Sequence, residues 1–144
     1  MITRDAIVKV VLYIASDCVD TDFTAKLIDV YPPSDDYPQG YAMNLTDGII
    51  RALYRDSWEK PAPMQPGNIY KVTIVAFPTS NLLKTGHRIR LDISSSNFPK
   101  YDVNPNTGAA EAAPTESKVA LNQIFLSSSQ PSQMILPVII RSQD

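Results

Sequence analysis

The chain has little of what catalytic and metal sites are usually built from. Its 144 residues include one cysteine, one histidine and one tryptophan. A single cysteine, Cys18, excludes an intrachain disulfide. Its neighbours Asp17, Val19 and Asp20 supply no cation to lower a thiol pKa, so a buried, inert side chain is expected. One histidine and one cysteine cannot furnish the ligand set of a transition-metal site, and no cofactor or metal is expected. The five glycines never flank a serine in the Gly-x-Ser-x-Gly pattern of a nucleophile elbow. Thirteen basic against fifteen acidic residues leave a formal charge of −2, which gives no electrostatic reason to approach nucleic acid or an anionic membrane. No apolar run approaches the roughly 20 residues of a membrane helix.

What is present is strand periodicity, at a length suited to a single domain over residues 1–144. A hydrophobic fraction of 44% fits a packed core rather than a disordered tail. Residues 7–16 are rich in β-branched side chains and predict a first strand, closed by the polar cluster 17–22. Residues 23–31 predict a second strand, stopped by Pro32 and Pro33. Residues 41–55 hold a third strand with room for a fourth, Gly48 marking a bulge or bend. In that stretch Ile49, Arg51, Leu53 and Arg55 are expected on one face, with Ile50, Ala52 and Tyr54 on the other.

Three prolines make 58–67 an irregular connection. In 68–77, Tyr70, Val72, Ile74 and Ala76 alternate with Lys71 and Thr73, and in 88–93 Ile89, Leu91 and Ile93 alternate with Arg88, Arg90 and Asp92. A long loop over 97–117 follows, Ala-rich and mobile at 109–114, then strands at 119–126 and 134–141. The mixed loop lengths favour Greek-key or jelly-roll wiring over tight hairpins. The fold class is all-β, a jelly-roll β-sandwich.

Few side chains qualify as site candidates. His87 needs an activated serine and an orienting aspartate to act as a base. Asp92, five residues further along the same strand, points to the opposite face, so His87 is expected as a strand-edge or core-side histidine bonded to backbone. Asp17, Asp20 and Asp22 form the densest carboxylate group, without EF-hand spacing. A solvated turn with Asx-type backbone bonds is the expectation there. Trp58, Phe98 and Tyr101 are loop aromatics. They suit a sugar-stacking platform, a docked-domain interface or burial against the sandwich's own core.

Several segments, in order, carry a resemblance to a known family. These are residues 20–32 (Asp-Thr-Asp-Phe-Thr-Ala-Lys-Leu-Ile-Asp-Val-Tyr-Pro), 78–82 (Pro-Thr-Ser-Asn-Leu), 86–99, 104–108 (Asn-Pro-Asn-Thr-Gly) and the closing Met-Ile-Leu-Pro-Val-Ile at 134–139. Together they resemble the C-terminal domain of the cocaine esterase, Xaa-Pro dipeptidyl-peptidase and α-amino-acid ester hydrolase family of serine hydrolases. The resemblance implies a galactose-binding-like jelly roll packed on an α/β-hydrolase domain that supplies serine, aspartate and histidine. None of those three maps onto a position here, so no catalytic residue is carried over.

The implied partner is therefore that catalytic domain, in cis within a larger hydrolase or in trans. Trp58, Asn97, Phe98 and Tyr101 are the expected domain-interface residues, and the loop bearing Asn97 and Tyr101 is expected to line one wall of the substrate cleft. Family members usually carry a further strand-bearing segment upstream of the region matching Ile7. Its absence would leave an unpaired sheet edge and favour self-association. Two further readings stand beside the favoured one: a carbohydrate-binding module built on Trp58, and a free-standing scaffold or oligomerisation domain.

Overall fold

In a computed structural model the described residues are 7–108 and 116–138. They form seven strands and one 3-10 turn: β1 (Lys9–Ser16), β2 (Asp22–Tyr31), β3 (Tyr41–Arg51), the turn Ala52–Tyr54, β4 (Tyr70–Val75), β5 (Arg88–Ser94), β6 (Asn122–Phe125) and β7 (Gln133–Ile135). The architecture is the expected all-β sandwich of two antiparallel sheets. The chain changes sheet between β1 and β2, β3 and β4, β4 and β5, and β5 and β6, so β2–β3 is the only direct hairpin among the described strands.

The valine- and isoleucine-rich β1 is the centre of the first sheet, with β4 on one side. Along its other edge lie β6 and then β7, one interrupted strand in two pieces. The residues between them loop out beyond a bridge from Leu126 to Pro131. Ser132 repairs the ladder at the gap: its hydroxyl accepts from the Tyr13 N–H at 2.9 Å and donates to the Phe125 carbonyl at 2.7 Å. Of the strands expected at 119–126 and 134–141, β6 covers Asn122–Phe125 and β7 runs over Gln133–Ile135. The segment 109–114 and the stretch from 139 onward lie outside the described residues.

In the second sheet β2 is central, between β3 and β5. Leu27 faces Thr46 but Ile28 faces Asn44, so the bulge falls at Leu45 and not at Gly48. Gly48 pairs regularly with Ala25, and what requires glycine there is the close approach of the two sheets. A Cβ at Gly48 would sit 2.7 Å from the Val75 carbonyl oxygen and 2.9 Å from an Ile74 methyl. At the same seam Phe77 N–H donates to the Asp47 carbonyl at 3.1 Å.

The expected alternation past Arg51 does not occur. The chain turns into its 3-10 segment, which has no period of two, and both Ala52 and Leu53 become buried. Their backbone N–H groups are taken by the Thr21 carbonyl and the Asp20 carboxylate, each at 2.9 Å. No fourth strand forms in that stretch.

Between the sheets lies one main core of Val10, Leu12, Ile14, Phe23, Ile50, Val72 and Ile74 with smaller neighbours. Alternation in β4 and the residue after it holds, with Val72, Ile74 and Ala76 inside and Lys71 and Thr73 outside. Met64, from the proline-rich connection, also reaches this core. Cys18 is buried as expected, and its thiol pKa is raised chiefly by that burial.

Candidate functional site

Strand register determines which side chains share the outer face of the β3–β2–β5 sheet. Phe23 and Ile50 pair inward, so the intervening positions point out. Asp22 lies opposite Arg51, Thr24 between Ile49 and Ser94, and Lys26 between Asp47 and Asp92. On β5, Arg90 holds Asp92 in an exposed ion pair at 2.9 Å.

Asp22 and Arg51 form a two-point ion pair, Nε to Oδ1 at 3.0 Å and Nη2 to Oδ2 at 3.3 Å. Asn104, from the Asn-Pro-Asn-Thr-Gly segment, donates its amide to both Asp20 at 3.0 Å and Asp22 at 2.6 Å. The Asn104 side-chain oxygen accepts from the Asn106 N–H at 2.8 Å, an Asx turn that holds the amide in place. Lys100 of the same loop is bound to Asp47 at 2.6 Å, and that hydrogen bond raises its pKa. Loop 95–108 is thereby fastened to the sheet at two points.

The carboxylates at 20 and 22 are thus buried in a network, which corrects the expected solvated turn; Asp17 instead accepts from the Leu121 N–H. Buried acids need paired donors, and Asn104, Arg51 and Leu53 N–H supply them. Among the described residues no group of three His, Cys, Asp or Glu side chains is placed to hold a metal.

Burial is the largest influence on Asp20 and raises its pKa above the ordinary 3.8; Asn104 and Leu53 N–H oppose it, Asp22 adds to it and Arg51 opposes. A raised folded pKa means the native state binds this proton more tightly than the unfolded chain. Asp20 therefore favours folding most below the unfolded value of 3.8, and that contribution is lost as pH rises through the folded value. Asp20→Asn, which cannot titrate, should gain stability relative to the unaltered chain as pH rises through this window. Urea unfolding of both chains across pH measures it, and a pH-independent difference would refute it.

His87 departs from expectation in its partner. Its Nδ1 lies 2.8 Å from Asp29 Oδ1, and Asn81 donates to the other Asp29 oxygen at 3.3 Å. The side chain is tied to a buried carboxylate, not to backbone, because Asp29 occupies a core-facing position of β2 beside the head of β5. The Tyr31 ring packs against the imidazole, with centroids 4.3 Å apart. Among the described residues no serine hydroxyl is hydrogen-bonded to His87.

Two of the four expected interface residues come together. Trp58, 78% exposed, and Tyr101 line one cleft of about 360 Å3 on the outer face, with Tyr54 and Asp102 beside them. Ile49 and the Asp22–Arg51 pair form the rest of its lining. Phe98 does not line the cleft; it stands on the loop 69% exposed. Asn97 shapes that loop, its carbonyl accepting from Lys100 N–H at 2.9 Å and Tyr101 N–H at 3.3 Å. Sequence reasoning missed Arg51, Tyr54, Asp102 and Asn104. Only Asn104 carried a signal, as the head of the Asn-Pro-Asn-Thr-Gly segment.

Residues 7–135 match the model of a family described as the X-Pro dipeptidyl-peptidase C-terminal non-catalytic domain. The chain is 46% identical over 132 residues to the cocaine esterase of Rhodococcus sp. (strain MB1 Bresler), covering 90% of this chain and 22% of that protein. Among solved structures it superposes on an α-amino acid ester hydrolase labelled with selenomethionine with a TM-score of 0.84 at 32% identity, covering 92% of this chain and 23% of the other. An aminopeptidase from the marine sediment archaeon Thaumarchaeota archaeon gives 0.82 at 29% identity, covering 89% and 22%. The chain spans less than a quarter of the length of each of these relatives. This sandwich of two antiparallel sheets, its long outer loop clamped by Asn104, belongs to the family of X-Pro dipeptidyl-peptidase C-terminal non-catalytic domains.

Proposed function

We propose that this chain acts as the non-catalytic C-terminal β-sandwich of a serine hydrolase that cleaves ester or aminoacyl-peptide bonds. It braces an α/β-hydrolase domain and presents Trp58, Phe98 and Tyr101 to it. The observation that carries the reading is the exposure of Trp58 and Phe98. Large aromatic rings held in water on a family-specific scaffold are the side chains a docked domain buries, and they dominate interface energetics. In this reading Asn97 and the loop it shapes border the docked domain and line one wall of its substrate cleft.

The test compares the isolated chain with the full-length hydrolase. Trp58→Ala and Phe98→Ala should leave the melting temperature of the isolated chain unchanged. The pair should destabilise the docked parent by about 2–4 kcal/mol and reduce its turnover. The isolated chain should hydrolyse neither p-nitrophenyl esters nor Xaa-Pro amides. An unchanged parent, or turnover in the isolated chain that survives repurification and is blocked by a serine-directed inhibitor, would overturn the proposal.

A further inference from the structure

The cleft between Trp58 and Tyr101 has a chemistry narrower than that of a generic contact patch. Its three rings, Tyr54, Trp58 and Tyr101, offer electron-rich π faces. Arg51 is the cation in the lining, and its Nε and Nη2 are both committed to Asp22. Asp102, also in the lining, has no ion-pair partner among the described residues. With Asp22 balanced by Arg51, the cleft keeps one uncompensated negative charge beside three aromatic rings. Lys100, 5.7 Å from the Tyr101 ring, does not cancel it, because its ammonium is bound to Asp47. At about 360 Å3 the space lies at the low end of the roughly 300–1,000 Å3 of small-ligand pockets.

An anion would meet Asp102 and a guanidinium already spoken for. A neutral sugar would stack on Trp58 but would leave the carboxylate's charge unused. A planar cation uses both features at once, stacking on the rings and pairing with the carboxylate.

We propose that this cleft is the receptor for a cationic side chain, arginine foremost, presented by the catalytic part of the parent hydrolase. The source of that side chain rests on the docking reading above; the preference for a cation rests on the cleft itself. Arginine fits better than lysine because its flat guanidinium stacks while its N–H groups reach the Asp102 carboxylate in a forked pair.

Trp58 is the chain's only tryptophan, so its fluorescence reports the cleft directly. The isolated chain is titrated with N-acetyl-arginine amide and with the neutral isostere N-acetyl-citrulline amide. Saturable change is expected with the arginine compound at half-saturation on the order of 1–10 mM, with a preference of about tenfold over citrulline. Asp102→Asn should remove that preference without altering the fold, since Asp102 is exposed. Equal responses to the two compounds, a stronger response to monosaccharides, or no response would overturn the cation chemistry, whatever the domain docks against.

In the full-length hydrolase, Asp102→Lys should lower the melting temperature by about 2–4 °C while leaving that of the isolated chain unchanged. Arginine preference in the isolated chain with no effect of Asp102→Lys on the parent would overturn the side-chain occupant. The docking reading fails on a different result, a parent indifferent to Trp58→Ala and Phe98→Ala.

Discussion

Replacing Arg51 with methionine should cost this domain about 3 kcal/mol, the lower end of the range for breaking a buried ion pair. Methionine keeps the aliphatic volume, so the loss isolates the charge. Without the guanidinium, Asp22 retains only the amide of Asn104, and Asp20, already raised by burial, loses one of its compensating charges. Arg51 itself is 32% exposed, so solvent screens part of the pair, and this places the expectation at the lower end. Asn104→Ala should be nearly as damaging, because its one amide serves both carboxylates. Urea unfolding gives the values. A loss below about 1 kcal/mol for Arg51→Met would mean that water replaces the guanidinium and that the pair is a surface feature.

Phe23→Ala should be at least as severe, about 3–5 kcal/mol. Phe23 is 1% exposed and sits on central β2, packed with residues of both sheets in the main core. Its removal opens a void lined by strands that cannot collapse, since β1 and β2 are each fixed on both edges. Against a total stability of about 5–15 kcal/mol, such a loss leaves a domain near its unfolding threshold at physiological temperature. Thermal melts with a fluorescence readout would register it. A well-folded variant within 1 kcal/mol of the original, as a rough bound, would place the core's weight elsewhere.

Strands were readable in the sequence, β1 from its β-branched residues and β4 and β5 from the alternation of apolar and polar positions. β1 and β4 lie within their expected ranges, while β2 exceeds its range only at Asp22 and β5 only at Ser94. The failures have local causes. Ala52 and Leu53 look like a continued strand, yet their backbone groups bond to Thr21 and Asp20, partners that alternation cannot reveal. Asp29 shares a face with Phe23, Ala25 and Leu27, a core position that itself forecasts a buried carboxylate needing a partner. Its partner His87, 58 residues away, is assigned by the β2–β5 register alone. The same distance problem hides Asn104, which reaches Asp20 across 84 residues of chain. Aromatic content identified Trp58 and Tyr101 as candidates, but only folding brings them to one cleft.

The excursion between β6 and β7 separates the length of this chain from its topology. Because Ser132 carries the ladder across the gap with its own hydroxyl and Pro131 bridges Leu126, the residues from Ser127 to Gln130 hold no strand in register. Doubling such a loop costs only about 0.6 kcal/mol of closure entropy. The edge of the first sheet is thus a place where relatives can gain or lose sequence, or where an epitope can be grafted, while the cleft on the opposite sheet keeps its shape.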